Sequence, residues 1–332
     1  MNGATVLVTG GTGCIGAVTV RDLLAAGASR VVVASRAATP GLLPLWLPLP
    51  LAERITLVSA DLGDAAAMQR VVTEHRPTHV VHLAGLQSPD CDADPARGLA
   101  VNVGGTQVLL EAVERLPVPL QRFVFASSAA VYGPRSLYPG PRVSECDPLQ
   151  PPNRYGVWKL AGEHLCRLFA QRTGVPTVCL RLNTTYGKGR DRGRTAAPTL
   201  AMKQVATGAL RGVVQPFAMP YRGRENYHFV EDVGAHFAAA ATQPFTGFGA
   251  FNIRGTTVEV SEFLALIRTV AAELGMGEFC EVSLAAQASE NLFVSDLDDR
   301  AMQGRFVGLP CTPLVDGVRR SLREFVRLAP RY

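Results

Sequence analysis

Tyr155-Gly156-Val157-Trp158-Lys159 sets a phenol and an ammonium four residues apart. On a helix this spacing puts both side chains on one face. There the cation stabilises a phenolate and draws the phenol down from its usual value near ~10. A tyrosine tuned in this way serves as a general acid or base. Upstream, residues 122–126 run into Ser127-Ser128, hydroxyls placed to hold a substrate hydroxyl or carbonyl. At the start of the chain, Thr5 to Thr9 has β-forming character and leads into glycines at 10, 13 and 16. Such a turn lets backbone approach a pyrophosphate, and the helix after it offers free N–H groups and the positive end of its dipole. The spacing is G-x-x-G-x-x-G rather than G-x-G-x-x-G, so its place between a strand and a helix carries the inference.

These residues need elements to position them. Residues 30–35, 54–61, 78–85, 122–128 and 177–182 are largely apolar runs of strand length, the kind that a parallel sheet buries on both faces. Helical stretches over 17–26, 65–74, 96–115 and 155–172 alternate with them. The alternation predicts βαβ units and an α/β fold, a Rossmann-type doubly wound parallel sheet. Ligands of such sheets bind outside the carboxyl ends of the strands. The glycine turn, Ser35-Arg36, Asp61-Leu62, Ala84-Gly85 and Ser127-Ser128 all fall at those ends. After about residue 187 the pattern loosens into turns and shorter helices over 199–207, 232–242, 261–274 and 314–328. The expected division is a dinucleotide-binding domain over 1–186 and a smaller, mixed substrate lobe over 187–332, with part of 228–255 returning to the sheet.

The chain resembles the extended short-chain dehydrogenase/reductases of the NAD-dependent epimerase/dehydratase family. The resemblance lies in Thr9 to Gly16, Asp61-Leu62, His82 to Gly85, Asn102 to Thr106, Ser127 to Gly133, Tyr155 to Lys159, Arg181 to Gly187 and His228 to Val233. It implies that Gly10, Gly13, Cys14, Ile15 and Gly16 receive the cofactor pyrophosphate, and that Asp61 and Leu62 receive the adenine. Ala84 and Gly85 would line the nicotinamide side, with Asn102 in a structural or cofactor-side place. Ser128 would polarise the substrate oxygen and Tyr155 would exchange the proton. Lys159 would bind the nicotinamide ribose and, with the positive nicotinamide, tune Tyr155. Helices over 96–115 and 155–172 resemble those through which family members pair, which implies a homodimer.

Departures from the family pattern narrow the reading. Family dehydratases place Asp-Glu after the catalytic Thr, and decarboxylases a Glu; this chain has Ala129-Ala130, which suits epimerase or simple dehydrogenase chemistry. NAD users carry an acid at the end of the second strand, where this chain has Ser35-Arg36. A hydroxyl followed by a guanidinium suits a ribose 2′-phosphate and favours NADP over NAD. Thr184 stands where the nucleotide-sugar branch has Asn, and Met219 to Asn226 replaces its usual Gly-Asp-Gly-x-x-x-Arg-Asp. Lys188, Arg190, Arg192 and Arg194, joined by Arg222 and Arg224, form a candidate clamp for an anionic substrate, a diphosphate or a carboxylate. Gln87, Thr184, Arg192, Arg194 and Arg224 are the candidate substrate contacts.

Composition sets the outer bounds. With 47% hydrophobic and 18% charged residues over 332 positions, the chain can bury a sizeable core. A net charge of +5 with scattered basic residues argues against a nucleic-acid surface. Seven dispersed Cys lack metal-ligand spacing or an even count, so neither a metal site nor a disulfide framework is expected. His79 and His82 are expected to be packed or capped. Residues 42–51 are apolar but interrupted by prolines, which excludes a membrane helix and suggests a loop or lid over the cofactor side. A strand beginning by residue 5 leaves no room for a signal peptide, and a cytoplasmic protein is expected. The leading expectation is an NAD(P)-dependent sugar epimerase, with a nucleotide sugar as substrate. The alternative is an NADP-dependent dehydrogenase or ketoreductase acting on a non-nucleotide sugar, a sugar acid or a secondary-metabolite intermediate. Dehydratase or decarboxylase chemistry ranks lower, and a non-catalytic cofactor-binding protein ranks last because Ser128, Tyr155 and Lys159 are intact.

Overall fold

A computed structural model describes residues 1, 3–47, 53–291 and 293–328. The elements, in chain order, are β1 (Thr5–Thr9), α1 (Cys14–Ala25), β2 (Arg30–Ser35), β3 (Ile55–Ser59), α2 (Ala65–His75), β4 (His79–His82), α3 (Ser88–Ala93), α4 (Pro95–Leu99) and α5 (Gly105–Glu114). There follow β5 (Arg122–Ser128), α6 (Arg154–Thr173), β6 (Thr177–Leu182), β7 (Thr184–Tyr186), α7 (Ala197–Arg211), β8 (Phe217–Arg222), β9 (Arg224–Phe229) and α8 (Val230–Thr242). The last are β10 (Phe248–Asn252), β11 (Thr256–Glu259), α9 (Val260–Glu273), β12 (Val282–Glu290), α10 (Arg300–Arg305) and α11 (Leu314–Leu328).

Seven strands form one sheet in the order β10-β6-β5-β4-β1-β2-β3, and every pairing in it is parallel. Alternation along the strands feeds two cores. Val6, Val8, Val31 and Val33 face α1 and α8. Leu7, Val32, Ala34 and Val80 face α2, α5 and α6. Both faces are therefore covered, which accounts for the continuous apolar runs. Strand order reverses between β1 and β4, opening a crevice at the carboxyl ends where ligands of this fold bind. A three-stranded sheet, β11-β9-β7, and a parallel pair, β12-β8, make the smaller lobe.

Two expectations about helices need correction. The first helix begins at Cys14, not Ala17, because its cap is the turn glycine Gly13. The single helix expected over 96–115 is broken: between α4 and α5, residues Ala100–Gly104 form a wide turn in which the Gly105 N–H reaches the Ala100 carbonyl. Such an i→i+5 turn pushes one residue out of register, and here it carries the buried Asn102. The segment between β2 and β3 is a loop with a short 3-10 turn at Leu43–Leu45. The Leu42 N–H donates to the Thr12 carbonyl, fixing the segment to the glycine turn. The rest of this expected lid, residues 48–52, lies outside the described residues. All seven cysteines are free thiols, and no helix among the described residues is long and apolar enough to cross a membrane.

Candidate active site

The glycine turn is shaped by contacts that no side chain would allow. Gly10 has φ 71°, and a Cβ on it would stand 2.8 Å from the Ala84 nitrogen; one on Gly16 would stand 2.1 Å from the Gly10 carbonyl oxygen. The end of β4 and the start of α1 therefore close on the turn. No side chain caps Gly13, and the first turn of α1 holds no acidic residue, so its amides and dipole are left for an anion. These features fit a dinucleotide: a pyrophosphate on the turn, in a cavity of about 710 Å³ along the strand ends.

The loop after β4 is held from behind. The Thr106 hydroxyl donates to the Asn102 carbonyl (2.8 Å), so it accepts from His82 Nε2 at 3.0 Å. The His82 Nδ1 then accepts from Thr9 Oγ1 at 2.6 Å. This assigns a neutral imidazole, and burial indeed pushes His82 down to about 3. Asn102 spends its amide on the backbone of Leu86, accepting its N–H at 2.7 Å and donating to its carbonyl at 3.0 Å. Expected as a structural or cofactor-side residue, Asn102 holds the loop and does not line the cavity. His79 is buried and bonded to Thr78, and burial lowers it to about 4.

At the end of β5 two adjacent serines part company. Ser127 Oγ donates to Glu163 at 2.5 Å inside the fold, whereas the Ser128 hydroxyl accepts from Ala130 N–H at 3.1 Å and lies beside the Tyr155 phenol. Asn153 caps α6 through the Gly156 N–H, which fixes the first turn that carries Tyr155. Lys159 Nζ donates to the Ala126 carbonyl at 2.8 Å and stands 5.7 Å from the Tyr155 ring centre. Burial lowers its ammonium to about 8. The expected downward pull on Tyr155 is not what the protein alone produces: burial raises the phenol, against lowering by Ser128 and then Arg190. One of the three Lys159 N–H donors goes to Ala126, and a positive cofactor charge beside the phenol would lower it further.

The cavity wall collects Gly10, Gly13, Cys14, Ile15, Gly16, Ser35, Arg36, Asp61, Leu62, Ala84, Gly85, Gln87, Ser128, Tyr155, Lys159 and Arg194. Ser35 donates its hydroxyl to the Ala37 carbonyl at 2.5 Å, while the Arg36 beside it is exposed. Three expected substrate contacts lie off the wall. Thr184 points into the lobe because β7 alternates, and its neighbour Thr185 faces the cavity instead. Arg224 is turned outward onto Asp296 at 2.9 Å, and Arg192 is exposed. The expected clamp of six cations thus reduces to Arg190 and Arg194. Lys188 is turned to Glu324 and Trp46, and Arg222 pairs with Glu290. Arg97, Asn183, Thr195, Asn291 and Phe293, which sequence reasoning missed, also line the wall; only the end of the β6 run hinted at Asn183.

Behind Asn291 sits Glu225, 1% exposed. It accepts from Asn291 Nδ2 at 3.0 Å and from the Asn226 N–H at 2.9 Å. Burial pushes its carboxyl up from 4.5 to about 7. The folded protein therefore holds a proton that the unfolded chain has lost between pH 4.5 and about 7, and stability from this group falls as pH rises through that window. Glu225→Gln should flatten the fall. In urea unfolding at pH values below and above the window, the gap between variant and wild type should change by on the order of 3 kcal/mol in the variant's favour. An unchanged gap would contradict the burial.

Comparison with known proteins gives the following. The model of a family described as "NAD dependent epimerase/dehydratase family" matches residues 6–253. A dTDP-L-rhamnose 4-epimerase of Burkholderia thailandensis is 27% identical over 307 residues, covering 84% of this chain and 83% of the relative. A dTDP-glucose 4,6-dehydratase of Shigella flexneri is 28% identical over 265 residues, covering 75% and 72%. The structure of a UDP-glucose 4-epimerase of Thermus thermophilus in complex with NAD superposes with a TM-score of 0.77 at 28% identity, covering 97% and 98%.

Proposed function

Because the chain belongs to the NAD dependent epimerase/dehydratase family, an enzyme family of the extended short-chain dehydrogenase/reductase type, we propose that it is an epimerase acting on a nucleotide sugar. The observation that carries this reading is the group at the end of β5. Ser128 and Tyr155 meet on the cavity wall, and the next two residues are Ala129 and Ala130, 1% and 0% exposed. Ser128 polarises a substrate oxygen, and Tyr155 takes the proton from a carbinol hydroxyl and returns it. Lys159, charged below about pH 8, steadies the phenolate. A nicotinamide held by the glycine turn would take hydride from that carbon and return it to the opposite face of the resulting ketone. With alanines where an acid would drive elimination, the two carboxylates on the wall are Asp61 and Asp92. Asp61 lies at the adenine end and Asp92 on α3, so among the described residues no carboxylic acid stands beside Ser128 to drive loss of water. Arg194, on the same wall, gives the substrate's anion its cation.

The purified enzyme should retain its cofactor and interconvert two sugars with no net change in nicotinamide absorbance. Consumption of reduced cofactor in step with product would replace this reading with the ketoreductase one, which Arg36 favours. We assign Arg36 to a ribose 2′-phosphate, since no acid stands at the end of β2. Arg36→Ala should weaken NADPH binding roughly 10- to 100-fold, as loss of a charge-assisted contact does, and leave NADH binding nearly unchanged. Equal effects on the two by calorimetry would remove the assignment. We also propose a homodimer through α4, α5 and α6, where Leu99, Val157 and Leu168 are exposed. Sedimentation equilibrium tests it, a monomer at every concentration counting against.

A further inference from the structure

Loop 187–195 is built to present particular cations. Gly187, Gly189 and Gly193 have φ of 117°, 87° and 85°, and the turns they allow send successive charged residues in different directions. Lys188 goes to Glu324 at 3.2 Å, and Asp191 is held by Lys203 at 2.9 Å. Arg194 goes to Ser289 and over the Tyr221 ring, 5.7 Å from its centre. Arg190 instead turns back toward the cofactor domain. Its Nη2 donates to Thr195 Oγ1 at 2.6 Å and lies 3.5 Å from Gln87 Oε1. Its Nε is buried without a partner among the described residues.

The loop rests directly on the glycine turn. A Cβ on Gly189 would lie 3.9 Å from Cys14 Sγ and 4.0 Å from Cys14 Cα, and 3.2 Å from Leu42 of the segment over that turn. Cys14 Sγ lies 3.9 Å from the Lys188 carbonyl. Cys14 is the first residue of α1, where a pyrophosphate meets the helix. We infer that Arg190 is a cofactor clamp: the substrate-side loop carries a guanidinium back over the glycine turn, where it holds the cofactor diphosphate between Cys14 and Tyr155 and keeps the dinucleotide bound through turnover. Burial raises both the Cys14 thiol and the Tyr155 phenol, and the same guanidinium opposes that rise in each, which agrees with a position between the two. Fixed by Thr195 and Gln87, it is preorganised, so little freedom is lost when a phosphate is bound. The assignment rests on the family's cofactor occupying the crevice and is independent of which reaction follows.

The test is release of the cofactor in the absence of substrate. Wild type, Arg190→Ala, Arg190→Lys and Arg194→Ala are loaded with NADH and, separately, with NADPH, and loss of nicotinamide fluorescence is followed after a chase with excess oxidised cofactor. Arg190→Ala should release roughly 10- to 100-fold faster than wild type, as expected for removing a charge-assisted contact. Arg190→Lys, which keeps charge but loses the fork, should fall between, and Arg194→Ala should match wild type. Should Arg190→Ala fail to fold by circular dichroism, the Lys variant carries the test, and its release at the wild-type rate would overturn the clamp. Unchanged release in Arg190→Ala with weakened binding of UDP-glucose would also overturn it, moving Arg190 to the substrate's anion. Loss of epimerisation with faster cofactor release leaves the clamp standing, so failure of the reaction reading and failure of the clamp give different results.

Discussion

Tyr155→Phe should cost about 1,000-fold or more in kcat while leaving cofactor affinity close to wild type. The phenol is the group placed to exchange a proton beside Ser128, and general acid–base catalysis of this kind contributes up to about 10,000-fold, equivalent to roughly 4 to 5 kcal/mol of barrier. Phenylalanine keeps the ring that stands 5.7 Å from Lys159 Nζ, so the local packing survives. A drop in kcat with an unchanged cofactor Kd identifies lost proton transfer, whereas activity near wild type would mean that another group carries the proton. The pH profile supplies a second reading. Lys159 is pushed down to about 8, so rising pH removes the charge that steadies the phenolate. Wild-type kcat/KM should fall on an alkaline limb near that value. The limb should be missing in Lys159→Arg, whose guanidinium stays charged.

What the sequence made legible divides along physical lines. Residues 30–35, 122–128 and 177–182 were bounded correctly because a strand buried on both faces is one unbroken apolar run. Helix α11 begins at Leu314 as its regular apolar stripe suggests. The break at Ala100–Gly104 left no mark, since a single i→i+5 turn hardly disturbs helical periodicity over twenty residues. Strands β8, β9, β11 and β12 fall where the sequence pattern loosens into turns and loops: β8 contains Pro220, and β12 is mostly exposed and bulged between Leu284 and Ser289.

Within the site, residue types were easier to read than directions. The pair Ser127-Ser128 and the pair Thr184-Thr185 each hold one residue turned to the substrate side and one turned into the fold. Parity along a strand decides which, and a one-residue choice reverses the outcome. Among the arginines of loop 187–195, which turns at three glycines of positive φ, 190 and 194 reach the cavity wall and 192 does not. Backbone torsions of that kind are not written in spacing. Ser128, Tyr155 and Lys159 stand out in the sequence because two of them are related by α6 itself and the third ends a strand.

The largest loss of stability should come from Glu163, which ties the end of β5 to β6. Its carboxylate takes Arg181 at 2.9 and 2.8 Å and Ser127 at 2.5 Å. The ion pair is 3% and 4% exposed. Arg181 passes a further bond to Tyr132 at 2.7 Å, and Tyr132 reaches Asn252 of β10 at 2.8 Å. One network thus joins three neighbouring strands and α6 directly behind Ser128. Glu163→Ala leaves a buried guanidinium uncompensated, an expected cost of about 3 to 5 kcal/mol. Replacing both partners, Glu163→Leu with Arg181→Met, should recover most of that stability, because the penalty belongs to the stranded charge more than to a missing attraction. Urea unfolding of Glu163→Leu, Arg181→Met and the double variant closes the cycle. A single-variant loss below about 1 kcal/mol would show the pair to be solvated instead. The double variant should nevertheless lose kcat, since without Glu163 the Ser127 hydroxyl loses its anchor and the strand end that aims Ser128 at the substrate is no longer fixed to α6, the helix that carries Tyr155. Recovered stability without recovered turnover would separate what the network does for the fold from what it does for the site.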